Sequence, residues 1–311
     1  RNYKMIEVKE KEVLSSDGIH TLRGRVYLPA GKPKGYFHVV HGMTEHIGRY
    51  DAFMRSVAED GYIVFGYDNL GHGFTADEED LGFIAEKDGW KHLAADVAKF
   101  AGSVRSEYEK IYGKLPYYLM GHSMGSFIVR VASVYCIKPD KLIIMGTGGP
   151  NLASGAGLAF IKAVKKIKGD RYVSEAVDKL AFSTYGSHFD GDDKNKWLTK
   201  DKDVLEKYAA DPFCNFKFTV SAMGDLVKLN RVANSERFFE KTGRRSYPVL
   251  LVSGADDPVG DYGRGVSAVY RNLKANGAHV MIKLYKNCRH EILNDTCRDE
   301  VTRDIKKFLD M

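Results

Sequence analysis

The chain has 311 residues, which is too long for a small disulfide-stapled scaffold and long enough for one large domain or two modest ones. It carries 47 Lys and Arg against 41 Asp and Glu, and 44% of its residues are hydrophobic, which is ordinary globular composition. The net charge of +6 is spread along the chain without a long block of like charges, so no nucleic-acid partner is predicted.

The cysteine pattern predicts neither a zinc site nor a disulfide framework. The four cysteines form no Cys-x-x-Cys pair and no Cys/His ligand spacing: Cys136, Cys214, Cys288 and Cys297. Residues 1–18 lack the apolar stretch of a signal peptide, and no apolar span of the sequence is long enough to cross a membrane. We therefore expect reduced thiols and a cytoplasmic location, with a membrane-peripheral location as the alternative.

Short apolar segments of strand length alternate with longer segments of helical period. Strands are predicted at 5–14, 20–28, 36–40, 62–67, 117–120, 142–145, 249–252 and 280–284. The last six are each followed by a Gly- or Asp-bearing turn and a helical stretch, and the clearest helices are predicted at 90–111, 124–136, 262–275 and 296–309. This alternation predicts an α/β fold with a mostly parallel eight-stranded sheet flanked by helices.

The alternation stops between about 151 and 243, where helix-like segments follow one another without a clear strand. We therefore predict a core formed by 1–150 and 223–311 and a helical cap, or lid, inserted at 151–222. Its first part, 152–168, is apolar and then rich in lysine, which fits either a helix packed over a core or a lid that contacts lipid. The charged segment 190–203 is expected to be a mobile surface loop.

A Gly-x-Ser-x-Gly motif joins the strand predicted at 117–120 to the helix predicted at 124–136. Gly121, Ser123 and Gly125 carry the pattern. A serine on a sharp strand-to-helix turn exposes its hydroxyl, and the glycines allow the strand and the helix to approach closely. Ser123 is therefore the candidate nucleophile, and it needs an imidazole as base and a carboxylate to orient that imidazole.

The base is expected just after a late strand, because reactive groups gather beyond the carboxyl ends of parallel strands. Of the ten histidines, only His279 and His290 follow the last acidic turn that could supply the carboxylate. His279 precedes the strand predicted at 280–284 and lies at the wrong edge of the sheet, whereas His290 follows it. His290 is the candidate base.

The carboxylate is expected in the turn after the strand predicted at 249–252. This turn offers Asp256, Asp257 and Asp261. Asp257 precedes Pro258, which biases its backbone to an extended conformation. We select Asp257 and keep Asp256 as the alternative. The resulting order Ser, Asp, His is that of α/β-hydrolases.

Two backbone amides are expected to bind the oxyanion formed by attack on an ester. The amide of Met124 follows the nucleophile at a helix N-terminus, and the amide of Met43 lies in the loop after the strand predicted at 36–40. His41, Glu45 and His46 in the same loop lack the spacing of a metal-binding motif, so we favour a role in bracing the loop over a metal site.

Several motifs together resemble the monoacylglycerol lipases and lysophospholipases of the α/β-hydrolase superfamily. They lie at 41–50, 67–73, 121–126, 211–219, 257–260 and 289–293. The resemblance implies a catalytic triad of Ser123, Asp257 and His290, with oxyanion-binding amides at Met43 and Met124. It also implies that the helical cap covers an acyl-binding tunnel. Glu45 and Arg49 then line the pocket for the polar head of the substrate or brace the oxyanion loop.

The predicted function is that of a serine carboxylic-ester hydrolase. It would cleave single-chain acyl esters, such as monoacylglycerol or lysophospholipid, through an acyl-enzyme intermediate. No metal or organic cofactor is expected, and the expected partners are a small lipid ester and, through the cap, a micelle or membrane surface. The alternatives are a peptidase of the prolyl-iminopeptidase type and a non-catalytic ligand-binding protein on the same scaffold.

Overall fold

The computed structural model describes residues 6–311, and a single sheet of eight strands runs through them. The strands are β1 (Glu7–Leu14), β2 (Thr21–Leu28), β3 (Gly35–Val40), β4 (Tyr62–Tyr67), β5 (Tyr117–His122), β6 (Lys141–Met145), β7 (Val249–Gly254) and β8 (Val280–Tyr285). Their spatial order is β1-β2-β4-β3-β5-β6-β7-β8. β3 to β8 are parallel, whereas β2 pairs antiparallel with both β1 and β4. The predicted mostly parallel sheet is confirmed, and the predicted first residue of β1, Met5, lies outside the described residues.

Ten α-helices connect and cover these strands within the described part of the chain. They are α1 (Asp51–Glu59), α2 (Gly89–Tyr112), α3 (Met124–Tyr135), α4 (Ser154–Lys168), α5 (Glu175–Phe182), α6 (Lys202–Ala210), α7 (Val220–Ala233), α8 (Glu236–Gly243), α9 (Arg264–Ala275) and α10 (Arg298–Asp310). No helix between residues 6 and 311 combines the length and the apolarity needed to cross a membrane.

The sheet is buried on both faces, which explains why its central strands are almost continuously apolar. In β3, Tyr36 and Val40 point to a core shared with α2, α3, α7, α8 and α9. The alternate residues Phe37 and Val39 point to a second core shared with α1 and α10. Because neighbouring side chains of a strand point to opposite faces, both cores fix the register of the same strand.

The five helices from α4 to α8 lie between β6 and β7, and α4, α5 and α6 fall within the cap predicted at 151–222. Helix α4 packs against α7 through Ile161, which is buried in the core, and Val164, whereas most of its other residues are exposed. Helix α7 packs against α3 and begins at Val220, just before the predicted end of the cap at residue 222. The predicted end of the cap at residue 222 therefore falls within the first turn of α7.

The expectation that 190–203 is a mobile surface loop is wrong for its second half. Asn195, Leu198 and Thr199 are buried, and Leu198 packs in a small apolar cluster with Leu205 and Tyr208 of α6. The charged residues around this stretch gave it the composition of a solvated loop. Its few apolar side chains are nevertheless enough to anchor it, because they meet a neighbouring helix and the loop after β8.

The expectation of four reduced thiols is also corrected by the structure. Cys288 and Cys297 form a disulfide across the loop between β8 and α10, and their Cα atoms are 6.5 Å apart. That separation lies within the usual range for bonded cysteines. The two cysteines are nine positions apart, which is not a recognised Cys-Cys motif spacing. They are brought together by a loop that turns back to the start of α10. Cys136 and Cys214 are free thiols.

Candidate active site

Ser123 occupies a strained turn between β5 and α3. Its φ and ψ are 54° and −121°, in a region that non-glycine residues seldom adopt. A Cβ atom at Gly121 would overlap the carbonyl oxygen of Gly125, and a Cβ atom at Gly125 would overlap the carbonyl oxygen of Val40 in β3. Both glycines are therefore required for α3 to pack directly against the sheet, and the turn leaves Ser123 partly accessible.

His290 and Asp257 lie together beyond the carboxyl ends of β8 and β7. The Nδ1 atom of His290 is 2.9 Å from Oδ2 of Asp257, and both side chains are buried. The Ser253 hydroxyl donates to the same Asp257 oxygen at 3.2 Å, and the amide of Val259 donates to the other oxygen at 2.9 Å. The ring of His290 is centred 4.8 Å from that of His122, which directly precedes Ser123. The carboxylate, the imidazole and the serine turn thus meet at one edge of the sheet.

The other acids and the other histidine considered from the sequence lie away from this contact. Asp256 is 3.4 Å from the ammonium group of Lys200, and Asp261 binds the guanidinium of Arg264 at 2.7 Å. His279 is exposed at the amino end of β8. Of the three candidate carboxylates, the structure therefore places only Asp257 against His290.

The loop that carries Met43 lies against Ser123. A Cβ atom at Gly42 would approach the Cβ of Ser123 to 3.0 Å. The amides of Met43 and Met124 make no hydrogen bond to an acceptor among residues 6–311, so both are free to donate to a substrate oxygen. Met124 is also the first residue of α3, where the helix dipole favours negative charge.

Two buried neutral histidines hold this loop in place. His41 donates from Nδ1 to the carbonyl of Gly42 at 2.7 Å and accepts the amide of Asn69 at 2.9 Å. His72 accepts the amide of Thr44 at 3.2 Å. Burial lowers the pKa of His41 to about 4 and the pKa of His72 to about 3, so both rings keep one nitrogen as an acceptor near neutral pH.

Arg49 connects the loop after β3 to the residue that follows His290. Its guanidinium donates to both carboxylate oxygens of Glu291, at 2.6 and 2.7 Å, and to Glu45 at 2.8 Å. Although burial opposes the charge, Glu291 and Glu45 raise the pKa of Arg49. Sequence reasoning missed Glu291, although an acid directly beside the candidate base was a visible signal. The predicted head-group role of Glu45 and Arg49 stays a prediction, because their charged atoms are bound within the protein.

Glu45 also organises a buried polar chain beneath His290. It accepts the amide of Gly42 at 2.6 Å and the hydroxyl of Tyr50 at 2.7 Å. The ring of His122 has Nδ1 2.9 Å from the Tyr50 oxygen and Nε2 3.3 Å from the carbonyl oxygen of His290. Burial opposes a charge on His122, but the neighbouring Glu45 raises the pKa of His122. Burial likewise opposes a charge on Glu45, but His122 and Arg49 lower the pKa of Glu45. A cationic His122 donating from both nitrogens fits this arrangement.

One group of residues in the described part of the chain has the composition of a metal site. His46, Asp211 and Cys214 each place one ligand atom within 4.8 Å of the others. His46 and Asp211 already form a hydrogen bond of 2.9 Å between the loop after β3 and the segment after α6, and burial raises the pKa of the Cys214 thiol. The protonated thiol and the His-Asp pair account for the cluster as a structural link. His41 and Glu45 face other partners, so the three residues considered from the sequence do not converge on one point.

The mutation Arg49→Ala is expected to lower the free energy of unfolding by about 3–5 kcal/mol, because it leaves the buried carboxylates of Glu45 and Glu291 without their counter-charge. Urea unfolding measures this loss. The matched control is Arg55→Ala, since Arg55 forms an exposed pair with Asp51 at 2.7 Å and should cost about 0–1 kcal/mol. Equal small losses in both variants would show that the buried pair does not contribute as described.

Comparison with known proteins identifies the family. The sequence pattern of the family described as serine aminopeptidase, S33 matches residues 31–297. The chain belongs to this family. Like other members it is a serine hydrolase, and the resemblance to monoacylglycerol lipases inferred from the motifs is confirmed by the similar proteins found.

Three of these similar proteins illustrate the relationship of this S33 family chain to known enzymes. A thermostable carboxyl esterase from Bacillus coagulans, solved with glycerol, has 30% sequence identity and a TM-score of 0.88, with 97% of this chain and 98% of that chain covered. Monoglyceride lipase from Homo sapiens is 24% identical over 303 residues, covering 96% and 88% of the two chains. A monoglyceride lipase variant from Saccharomyces cerevisiae, solved with a substrate analogue, has 20% identity and a TM-score of 0.76 over 99% and 95% of the chains, and it supports the fold alone.

Proposed function

We propose that this serine hydrolase cleaves single-chain acyl esters of the monoacylglycerol or lysophospholipid type, with Ser123, His290 and Asp257 as its catalytic triad. The observation that carries the proposal is the 2.9 Å contact between buried His290 and Asp257 beside the strained Ser123 turn. Supporting it are the free amides of Met43 and Met124. The substrate class is taken from the names of the similar monoglyceride lipases.

The arrangement supports a two-step acyl transfer. His290 accepts the proton of Ser123 as its oxygen attacks the ester carbonyl, and the amides of Met43 and Met124 bind the resulting oxyanion. Collapse of this intermediate breaks the ester bond, and His290 returns the proton to the departing alcohol. Water, deprotonated by His290, then attacks the acyl-enzyme, releasing the fatty acid and restoring the serine. Asp257 keeps Nδ1 of His290 as the donor throughout.

Aromatic side chains of the proposed cap, residues 151–222, form an apolar wall suited to an acyl chain. The ring centres of Phe182 and Tyr185 are 5.6 Å apart, those of Tyr185 and Trp197 are 5.0 Å apart, and Trp197 is 5.1 Å from His290. In the described residues, the buried acids beside the site, Glu45 and Glu291, are both paired with Arg49. Neither is free to bind a substrate ammonium group, which favours an ester over an aminoacyl substrate.

Initial rates on a substrate panel test this proposal. The panel contains p-nitrophenyl esters from acetyl to palmitoyl, monooleoylglycerol, lysophosphatidylcholine and aminoacyl p-nitroanilides, and a fluorophosphonate probe reports nucleophile reactivity. The highest kcat/KM on a long-chain monoacyl ester, with labelling at Ser123, supports the proposal. A preference for the anilides would replace it by a peptidase of the prolyl-iminopeptidase type, and absence of both labelling and turnover would indicate a ligand-binding protein.

We also propose that the exposed face of the cap contacts micelles or membranes. Leu152, Phe160, Ile167 and Leu180 are exposed apolar residues of this region, and Lys166 and Lys168 are exposed beside them on α4. Lys165 does not belong to this face, because its ammonium group binds the carbonyl of Glu86 at 2.9 Å. An apolar face bordered by cations is suited to an anionic lipid interface.

The mutation Ile167→Asp is expected to lower the rate on micellar monoacylglycerol about tenfold, because a carboxylate replaces apolar contact at the interface. The rate on p-nitrophenyl acetate should not change. Ile111→Asp is the matched control, since Ile111 is 66% exposed on α2, outside the cap, against 78% for Ile167. Equal losses in both variants would contradict the proposed contact between the cap and the interface.

The cytoplasmic location stays a prediction, which fractionation of expressing cells checks.

A further inference from the structure

The cap segment Lys196 to Lys200, named here the strap, lies against the loop that carries His290. The carbonyl of Trp197 accepts the amide of His290 at 3.4 Å, and the carbonyl of Leu198 accepts the amide of Glu291 at 2.7 Å. On the amino-terminal side of His290, the guanidinium of Arg289 donates to the carbonyls of Lys196 and Thr199. Consecutive residues around the proposed base are thus hydrogen-bonded to the cap.

The strap also holds the loop beyond His290. The hydroxyl of Thr199 donates to the carbonyl of Asn294 at 3.0 Å, and the amide of Lys200 donates to Oδ1 of Asp295 at 3.2 Å. Asp295 in turn accepts the amide of Arg289 at 2.8 Å, which closes the loop on itself. A displacement of the strap would therefore break contacts on both sides of His290, and not a single hydrogen bond.

The imidazole of His290 is confined by rings on two sides and by backbone. The centre of the Trp197 indole is 5.1 Å from the centre of the imidazole, with an angle of 38° between the two ring planes, and the centre of the His122 ring is 4.8 Å away. A Cβ atom at Gly146 would come within 3.3 Å of its Cε1 atom. The hydrogen bond to Asp257 fixes one end of the imidazole ring, but a single hydrogen bond leaves the ring free to rotate about the axis of that bond. The flanking rings remove that freedom.

We propose that Trp197 is a positioning residue, which holds the imidazole of His290 in the orientation needed to take a proton from Ser123. The proposal rests on the assignment of His290 as the base under the proposed function. Its consequence is that the cap supplies part of the alignment of the triad, in addition to covering the acyl-chain site. Misplacement of a reacting group by about 1 Å can cost about a hundredfold in rate.

The test compares Trp197→Ala and Trp197→Phe on p-nitrophenyl acetate, whose acyl group is too short to use the apolar wall. Trp197→Ala is expected to lower kcat about ten- to a hundredfold and to slow fluorophosphonate labelling similarly, with KM changed less than about twofold. Trp197→Phe, which keeps an aromatic face against His290, should restore kcat to within about threefold of the parent. Trp90→Phe, at the start of α2, controls for loss of a tryptophan elsewhere.

The outcomes separate this proposal from the proposed function. If His290→Ala abolishes turnover while Trp197→Ala keeps the parental kcat, the triad stands and the positioning role is rejected. If Phe is no better than Ala and both variants lose thermal stability equally, Trp197 acts only as packing and the role is also rejected. If His290→Ala keeps full activity, the proposed function itself fails.

Discussion

Replacing Ser123 by Ala is expected to lower kcat for a p-nitrophenyl ester by a factor on the order of 10⁵ to 10⁶, the largest effect predicted for this enzyme. The serine supplies the oxygen that forms the acyl-enzyme, and no other hydroxyl stands on the strained turn between β5 and α3. The amides of Met43 and Met124 remain in the variant, so a small residual rate above the uncatalysed reaction is expected. Steady-state assays measure this residual rate, with the variant in large excess over any contaminating hydrolase.

Ser133→Ala is the matched control for this variant. Ser133 lies ten residues after Ser123, is buried within α3, and its hydroxyl donates to the carbonyl of Arg130 at 2.9 Å. It should keep activity and fluorophosphonate labelling at the parental level, whereas Ser123→Ala should lose both and keep its circular dichroism spectrum. Undiminished hydrolysis by folded Ser123→Ala would overturn the assignment of the nucleophile.

Asp257→Asn is expected to lower kcat about 10⁴-fold while leaving the fold intact. The amide keeps the shape of the carboxylate but presents its NH₂ group or a neutral oxygen to Nδ1 of His290, 2.9 Å away. The imidazole then loses the partner that fixes its tautomer and stabilises its cationic form. The pre-steady-state rate of p-nitrophenol release measures this effect on the acylation step directly.

The adjacent Asp256→Asn provides an unusually close comparison. Asp256 is in the same turn and carries the same charge, but it faces Lys200 at 3.4 Å and has a side chain that is 40% exposed. We expect its kcat to stay within about twofold of the parent, since an exposed ion pair contributes little. A larger loss for Asp256→Asn than for Asp257→Asn would reverse the assignment of the acid.

Sequence reasoning located the residues whose position follows from the topology of a parallel sheet. Ser123, Asp257 and His290 lie in the loops that follow β5, β7 and β8, and the carboxyl ends of parallel strands share one edge of the sheet. The strands themselves were predictable because burial on both faces makes them short apolar runs.

The features that the sequence did not indicate depend on contacts between distant segments. Arg49 and Glu291 are separated by 242 positions, and neither residue reveals its partner in a pattern of period 2 or 3.6. Trp197 was hidden in a charged stretch, because its contact with His290 depends on how the segment after α5 folds back against the loop after β8. The involvement of Lys165 with Glu86 likewise depends on how α4 lies across the molecule.

The bond between Cys288 and Cys297 has a consequence for peptide mapping by mass spectrometry. Trypsin cleaves after Lys286, Arg289 and Arg298, so digestion without a reductant should release the tripeptide 287–289 covalently attached to the nonapeptide 290–298. Treatment with a dithiol should split this species into its two parts. The proposed general base would thus be recovered in a cross-linked fragment whose mass reports the oxidation state of the loop.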